Sequence, residues 1–168
     1  MRLLFLGDSL VAFYDWQRRF PEHAVVNGGR AGETVAGLLA TLPSLLRRCP
    51  EPEQVCIMIG TNNLLREEYA FWPEYAKILD ALGSTLPSQR ITVTSLPPVR
   101  AAHLAPSAVS RVNDGLRQLS REKKAAFLDL FSAFHTEAPA VEACFAEDGV
   151  HFSDLGYTIW SGRLARGL

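Results

Sequence analysis

Long apolar runs, blocks of like charge and paired cysteines are all missing from this chain, and each absence removes a class of function. The longest apolar stretches hold only a handful of residues, far short of the ~20 needed to span a bilayer as a helix. The start of the chain offers one Arg and four large apolar residues before the polar Gly7-Asp8-Ser9, which makes a poor signal peptide. Lys and Arg number 17 against 18 Asp and Glu, for a net charge of −1. No basic patch for nucleic acid and no acidic tail follows from that balance. Arg121-Glu122-Lys123-Lys124 reads as a charged helix end. Cys49, Cys56 and Cys144 are odd in number and form no CxxC pair, so neither a zinc site nor a thioredoxin-like motif is indicated. Nothing supports a Cys49–Cys144 bridge; free thiols are expected, with Cys56 a small core hydrophobe. The expectation from these absences is a soluble, cytoplasmic protein without stable membrane insertion, metal or cofactor.

What the chain does contain is enough apolar residue, 48% of 168, to bury one substantial core. A single domain over residues 1–168 is expected, without repeats or linkers. Short apolar runs at 3–6, 24–26, 54–59, 91–94 and 125–128 suit strands buried on both faces of a parallel sheet. Between them, Val35, Leu38, Leu39, Leu42, Leu45 and Leu46 follow helical spacing. So do Tyr75, Ile78, Leu79 and Leu82, and later Val109, Val112, Leu116 and Leu119. The segment from Ser153 onward reads as a last helix, capped by Ser153 or Asp154. This alternation predicts an α/β fold: a three-layer α/β/α, flavodoxin-like sandwich around a five-stranded parallel sheet. Ligands of such sheets bind beyond the carboxyl ends of the strands.

Polar residues gather at those predicted ends. The first run stops at Gly7-Asp8-Ser9 and the second opens into a glycine-rich loop over 27–34. The third ends in Gly60-Thr61-Asn62-Asn63, the fourth in Ser95-Leu96-Pro97-Pro98, and Asp148-Gly149-Val150-His151 precedes the final helix. A serine hydroxyl becomes a useful nucleophile when a neighbouring base takes its proton and a third group orients that base. Ser9 is the candidate nucleophile, His151 the base and Asp148 the orienting acid, brought back to His151 by a turn at Gly149. The backbone N–H of Ser9, that of Gly32 and the side-chain amide of Asn62 are the candidate oxyanion donors, with Gly29 as the other choice in the second loop. Asp8 reads as a structural carboxylate bonded to nearby backbone.

Four blocks together carry a resemblance. GDSL at 7–10, the N-x-G-x-x-G-E-T-like loop at 27–34, G-T-N-N at 60–63 and D-G-V-H at 148–151 occur in order, and they resemble the SGNH, or GDSL, hydrolases. The resemblance implies an α/β/α fold, metal-free hydrolysis of esters or thioesters, Ser9 as nucleophile, Gly32 and Asn62 as oxyanion donors, and Asp148 and His151 as the rest of a triad. Gly32 is preferred over Gly29 because it directly precedes Glu33-Thr34. Asn63 stands where many members carry Asp, which puts the local hydrogen bonding there in question.

The reading is therefore a serine hydrolase acting on a small-molecule ester or thioester. A carbohydrate O-deacetylase of the same fold and a non-catalytic binding module are the alternatives. Self-association is left open. The glycine-rich loop has neither G-x-G-x-x-G nor a P-loop Gly-Lys-Ser/Thr, which argues against nucleotide binding. Trp16, Phe20 and Trp72 are equally suited to an acyl pocket or to the core. Arg18 and Arg19 read as a solvated pair, with attraction of an anionic leaving group as the other reading. His23, His103 and His135 read as loop or helix-end residues. With no inserted lid, an open site for short acyl groups is expected, narrowed at most by loops 64–72 and 97–106.

Overall fold

The computed structural model of the chain describes residues 1–105 and 107–168; Pro106, at the end of the 97–106 loop, lies outside them. In chain order the elements are β1 (Arg2–Gly7), α1 (Ser9–Ala12), α2 (Trp16–Arg19), β2 (Ala24–Gly29), α3 (Val35–Arg48), β3 (Gln54–Met58), α4 (Thr61–Leu65), α5 (Trp72–Gly83), β4 (Ile91–Thr94), α6 (Ala108–Glu122), β5 (Ala126–Leu128), α7 (Leu130–Glu137) and α8 (Asp154–Ala165). All strand pairs are parallel, in the order β2-β1-β3-β4-β5. This is the flavodoxin-like order expected.

Burial on both faces explains why the central strands are unbroken apolar runs. Leu3, Leu4, Phe5 and Leu6 of β1 are fully buried, as are Val55, Ile57 and Met58 of β3. The direction of each crossover places α3, α5 and α6 on one face and α1, α2, α7 and α8 on the other. Contacts agree: Trp72 of α5 lies against Gly115 of α6, and Trp160 of α8 meets Trp16 of α2 edge-on at 4.8 Å. The Tyr157 hydroxyl donates to Leu10 O at 3.0 Å, tying α8 to α1. No helix among the described residues is long and apolar enough to cross a membrane.

Two features differ from the sequence expectation, and one choice it left open is resolved. Strand β2 continues through Asn27-Gly28-Gly29, paired residue for residue with Phe5, Leu6 and Gly7. The ladder from β1 overrides the weak strand preference of glycine. Helix α7 was not expected; it follows β5 directly, its N-terminus capped by Asp129, whose Oδ1 accepts from Ser132 N–H at 3.0 Å. Of the two placements open to Trp16 and Phe20, acyl pocket or core, both take the core: Trp16 stacks on Phe5 at 4.1 Å, and Phe20 stacks on Phe5 at 6.1 Å. Trp72 packs between α5 and α6. The three cysteines are buried free thiols, Cys56 with its pKa pushed up to about 12 by burial.

Two polar contacts fix the loops at the carboxyl edge. Asn113 of α6 accepts from Leu96 N–H at 2.7 Å and donates to Leu96 O at 2.9 Å, pinning the segment after β4. Asn63, 4% exposed, accepts from Val35 N–H at 3.0 Å and donates to Glu68 Oε2 at 3.2 Å. An aspartate would keep the first bond and lose the second, because a carboxylate cannot donate. Asn63→Asp is therefore expected to lower stability by about 1–3 kcal/mol through two facing carboxylates, and Glu68→Gln should restore most of it. Thermal unfolding of the single and double variants checks this; an unchanged melting temperature for Asn63→Asp would contradict it.

Asp8 supplies a second test. Its Oδ1 accepts from Leu10 N–H at 3.0 Å, while Oδ2 and the neighbouring Thr61 Oγ1 are buried without well-formed hydrogen bonds. Burial pushes the Asp8 carboxyl up to about 6. The unfolded chain releases that proton near pH ~3.9. The stability this group contributes is thus complete below about pH 3.9 and is lost as pH rises through 6. Asn keeps the acceptor for Leu10 and offers a donor towards Thr61. Asp8→Asn should be more stable than wild type at pH 8, by on the order of 2 kcal/mol, with the advantage shrinking towards pH 4. Melting curves across that range decide the matter.

Candidate active site

Serine 9 reaches its position through local geometry. Strand β1 ends at Gly7, where a Cβ would lie 2.1 Å from Met58 O and 2.4 Å from a Val11 methyl. Only glycine lets the chain leave the strand this close to β3. Asp8 then caps α1, and Ser9 is its first residue, so the Ser9 N–H has no acceptor within the helix. The site residues that the sequence singled out at 9, 148 and 151 come together. His151 Nε2 lies 2.9 Å from Ser9 Oγ, and His151 Nδ1 lies 2.6 Å from Asp148 Oδ2.

The acid and the imidazole are oriented by a turn. Asp148 Oδ1 accepts the N–H groups of Val150 and His151, both at 2.9 Å, with Gly149 at φ +70° between them. The turn is held from outside by Arg100 N–H donating to Gly149 O at 3.0 Å. The hydrogen bond from His151, with the two backbone donors, holds the Asp148 carboxyl down at about 2 despite a partial desolvation cost. Asp148 and Asp8 sit at opposite extremes: one is exposed and multiply bonded, the other enclosed and accepting a single backbone bond.

The other predicted donors lie on two loops that are fastened together. Asn62, the second residue of α4, donates through Nδ2 to Glu33 O at 2.9 Å. That bond uses one amide hydrogen and leaves the second free, while fixing Asn62 against the peptide that follows Gly32. Gly32 is exposed, and a Cβ there would meet nothing within 4 Å. Its glycine is required by a φ of +75° instead of by crowding. Gly29, the other choice, is a strand residue paired with Gly7, and its N–H is taken by Asn27 Oδ1 at 2.9 Å. Glu33 folds its buried carboxylate back, Oε1 accepting Thr34 N–H at 3.2 Å and Oε2 facing Arg30 at 3.7 Å.

The remaining candidates lie elsewhere. Arg19 donates to Ser161 Oγ at 2.9 Å and lines a cavity of ~390 Å³ with Met1 and His23, at the amino edge of the sheet. His103 and His135 are exposed and bonded to the carbonyls of Leu65 and Phe131. His23 is half-buried against Phe20. One residue at the site was missed by sequence reasoning: Phe13, whose ring lies 5.4 Å from the His151 ring. Its spacing of four from Ser9 was the available signal.

The geometry is a hydroxyl, an imidazole and a carboxylate in series, an arrangement suited to activating the hydroxyl as a nucleophile. Among solved structures the fold is similar to that of a lipase/acylhydrolase from Enterococcus faecalis, with a TM-score of 0.80 and 19% identity over 98% of this chain and 93% of that one. It is also similar to a variant of an acetyl xylan esterase from Geobacillus stearothermophilus, TM-score 0.78 and 23% identity over 99% and 93%. A GDSL-like lipase from Bacteroides thetaiotaomicron aligns with a TM-score of 0.75 and 20% identity over 98% and 86%. The chain matches no curated protein. The GDSL-like Lipase/Acylhydrolase family matches residues 5–159, nearly the whole fold and every loop of the site. The chain belongs to the GDSL-like lipase/acylhydrolase family and is a carboxylic ester hydrolase.

Proposed function

We propose that the protein cleaves carboxylic esters or thioesters of small molecules through an acyl-enzyme on Ser9, with His151 as base and acid and Asp148 as its orienting partner. The observation that carries this reading is the unbroken series from Ser9 Oγ to His151 Nε2 at 2.9 Å and from His151 Nδ1 to Asp148 Oδ2 at 2.6 Å.

His151 takes the Ser9 proton as Oγ attacks the carbonyl carbon. Charge then moves to the carbonyl oxygen, which is held by the N–H groups of Ser9 and Gly32 and the free amide hydrogen of Asn62. The imidazolium stays oriented by Asp148, whose carboxyl is held down at about 2; the support this gives to folding is complete above about pH 3.9 and is lost as pH falls through about 2. His151 next gives its proton to the leaving alcohol or thiol. A water molecule, activated by the same nitrogen, releases the acid and restores Ser9. No metal or cofactor enters these steps.

Both His151 and Asp148 reach solvent, with side chains 37% and 50% exposed, which supports an open site and short acyl groups. Acetate esters are thus the first substrates to test, and the likeness to an acetyl xylan esterase supports including acetylated sugars. Wild type should hydrolyse acetate esters, Ser9→Ala should lose the activity to background, and Asn62→Ala should lose ~10²–10³ in kcat with a smaller change in KM. Steady-state kinetics on all three proteins checks this. Retained turnover in Ser9→Ala would overturn the proposal.

A further inference from the structure

Phe13 is a large apolar residue left in water beside the reacting groups. Among the described residues, the exposed large hydrophobics are Met1, Tyr69 and Phe13, and Phe13 is the most exposed at 62%. The chain on either side is anchored. Asn27 Nδ2 donates to the carbonyls of Val11, Ala12 and Tyr14 at 3.2, 3.4 and 3.3 Å. Trp16 Nε1 donates to Val11 O at 2.9 Å, and Tyr14 stacks on Tyr157 at 4.4 Å. The backbone on either side of Phe13 is bonded to the body of the fold, while its ring stays largely exposed.

Its direction follows from helical geometry. Phe13 N–H donates to Ser9 O at 3.0 Å, closing one turn, and residues four apart share a helix face. Phe13 therefore projects on the same side as Ser9, which is 9% exposed, while Leu10 and Val11 between them are fully buried. The ring ends up 5.4 Å from the His151 ring, tilted by 35°. In the proposed reaction His151 must reach the oxygen of the leaving group, so that group passes alongside the imidazole and within reach of Phe13.

Resting on the serine-hydrolase reading above, we infer that Phe13 is a specificity-determining residue. It forms an aromatic platform for the leaving alcohol and selects esters in which that alcohol carries a ring with an apolar face. An aryl ring would stack at the 4.5–7 Å spacing usual for aromatic pairs, and the C–H face of a pyranose offers the same apolar contact.

The test compares kcat/KM for phenyl acetate, an acetylated methyl xylopyranoside and ethyl acetate in wild type, Phe13→Ala, Phe13→Leu and Phe13→Tyr. The ratio of ring to ethyl substrate is expected to fall about fivefold in Phe13→Ala, chiefly through KM, and to persist in Phe13→Tyr. Phe13→Leu, which keeps apolar bulk without a ring face, should fall between them. A fall confined to phenyl acetate assigns the platform to aromatic alcohols, and one confined to the xylopyranoside assigns it to sugars. An unchanged ratio for both, or an equal loss on all three esters, would overturn the proposal and leave Phe13 as packing for His151. The rate of Ser9 labelling by a small organophosphate, followed in each variant, separates these results from damage to the reacting groups. If wild type turned over none of the esters and was not labelled, the serine-hydrolase reading itself would fall, and this inference with it.

Discussion

The approach of β1 to β3 at Gly7 is the constraint on which the site depends. A side chain at that position would collide with the Met58 carbonyl 2.1 Å away, so glycine alone allows the chain to turn out of the sheet at its carboxyl edge. Because the turn is immediate, the next residue caps a helix and the one after begins it. Ser9 thus follows a strand buried from Leu3 to Gly7 and precedes Leu10, whose carbonyl accepts the Tyr157 hydroxyl of α8. A nucleophile on such a base loses little on reaction, since its position is already set by the core.

The two aspartates near Ser9 show how environment, more than identity, assigns roles. Asp8 is enclosed and pushed up to about 6, a poor choice for stabilising an imidazolium. Asp148 sits in solvent with three donors on it and is held at about 2. The proposed oxyanion side is arranged by a comparable economy. Asn62 and Asn63, adjacent in sequence, reach across to Glu33 O and Val35 N–H, so the segments after β2 and β3 are joined by two hydrogen bonds. Asn63 in place of the usual Asp is compatible with this because Glu68 accepts its second bond.

Much of this was legible in the sequence, for identifiable reasons. Strands β1, β3 and β4 are local apolar runs with turns after them, and α3, α5 and α6 carry a strong 3.6-residue period. What could not be read depends on distant partners. Asn27-Gly28-Gly29 becomes strand only because β1 lies beside it. Trp16 and Phe20 turn inward because Phe5 and Trp160 are there to meet them. Short helix α7 has an N-cap at Asp129, yet too few residues to show a period. Ser9 and His151, 142 residues apart, could be paired in advance through their places at the carboxyl edge of the predicted sheet and the order of four motif blocks, never through spacing. Phe13 was missed because exposure is a property of the folded chain.

The measurement closest to the central claim is covalent labelling at Ser9. Incubation with a small organophosphate, followed by intact mass and peptide mapping, reports directly on an activated hydroxyl. The account predicts a single adduct on the peptide containing Gly7-Asp8-Ser9 and none when His151 is replaced by Ala. No adduct on wild type, or one that forms equally well without His151, would contradict it.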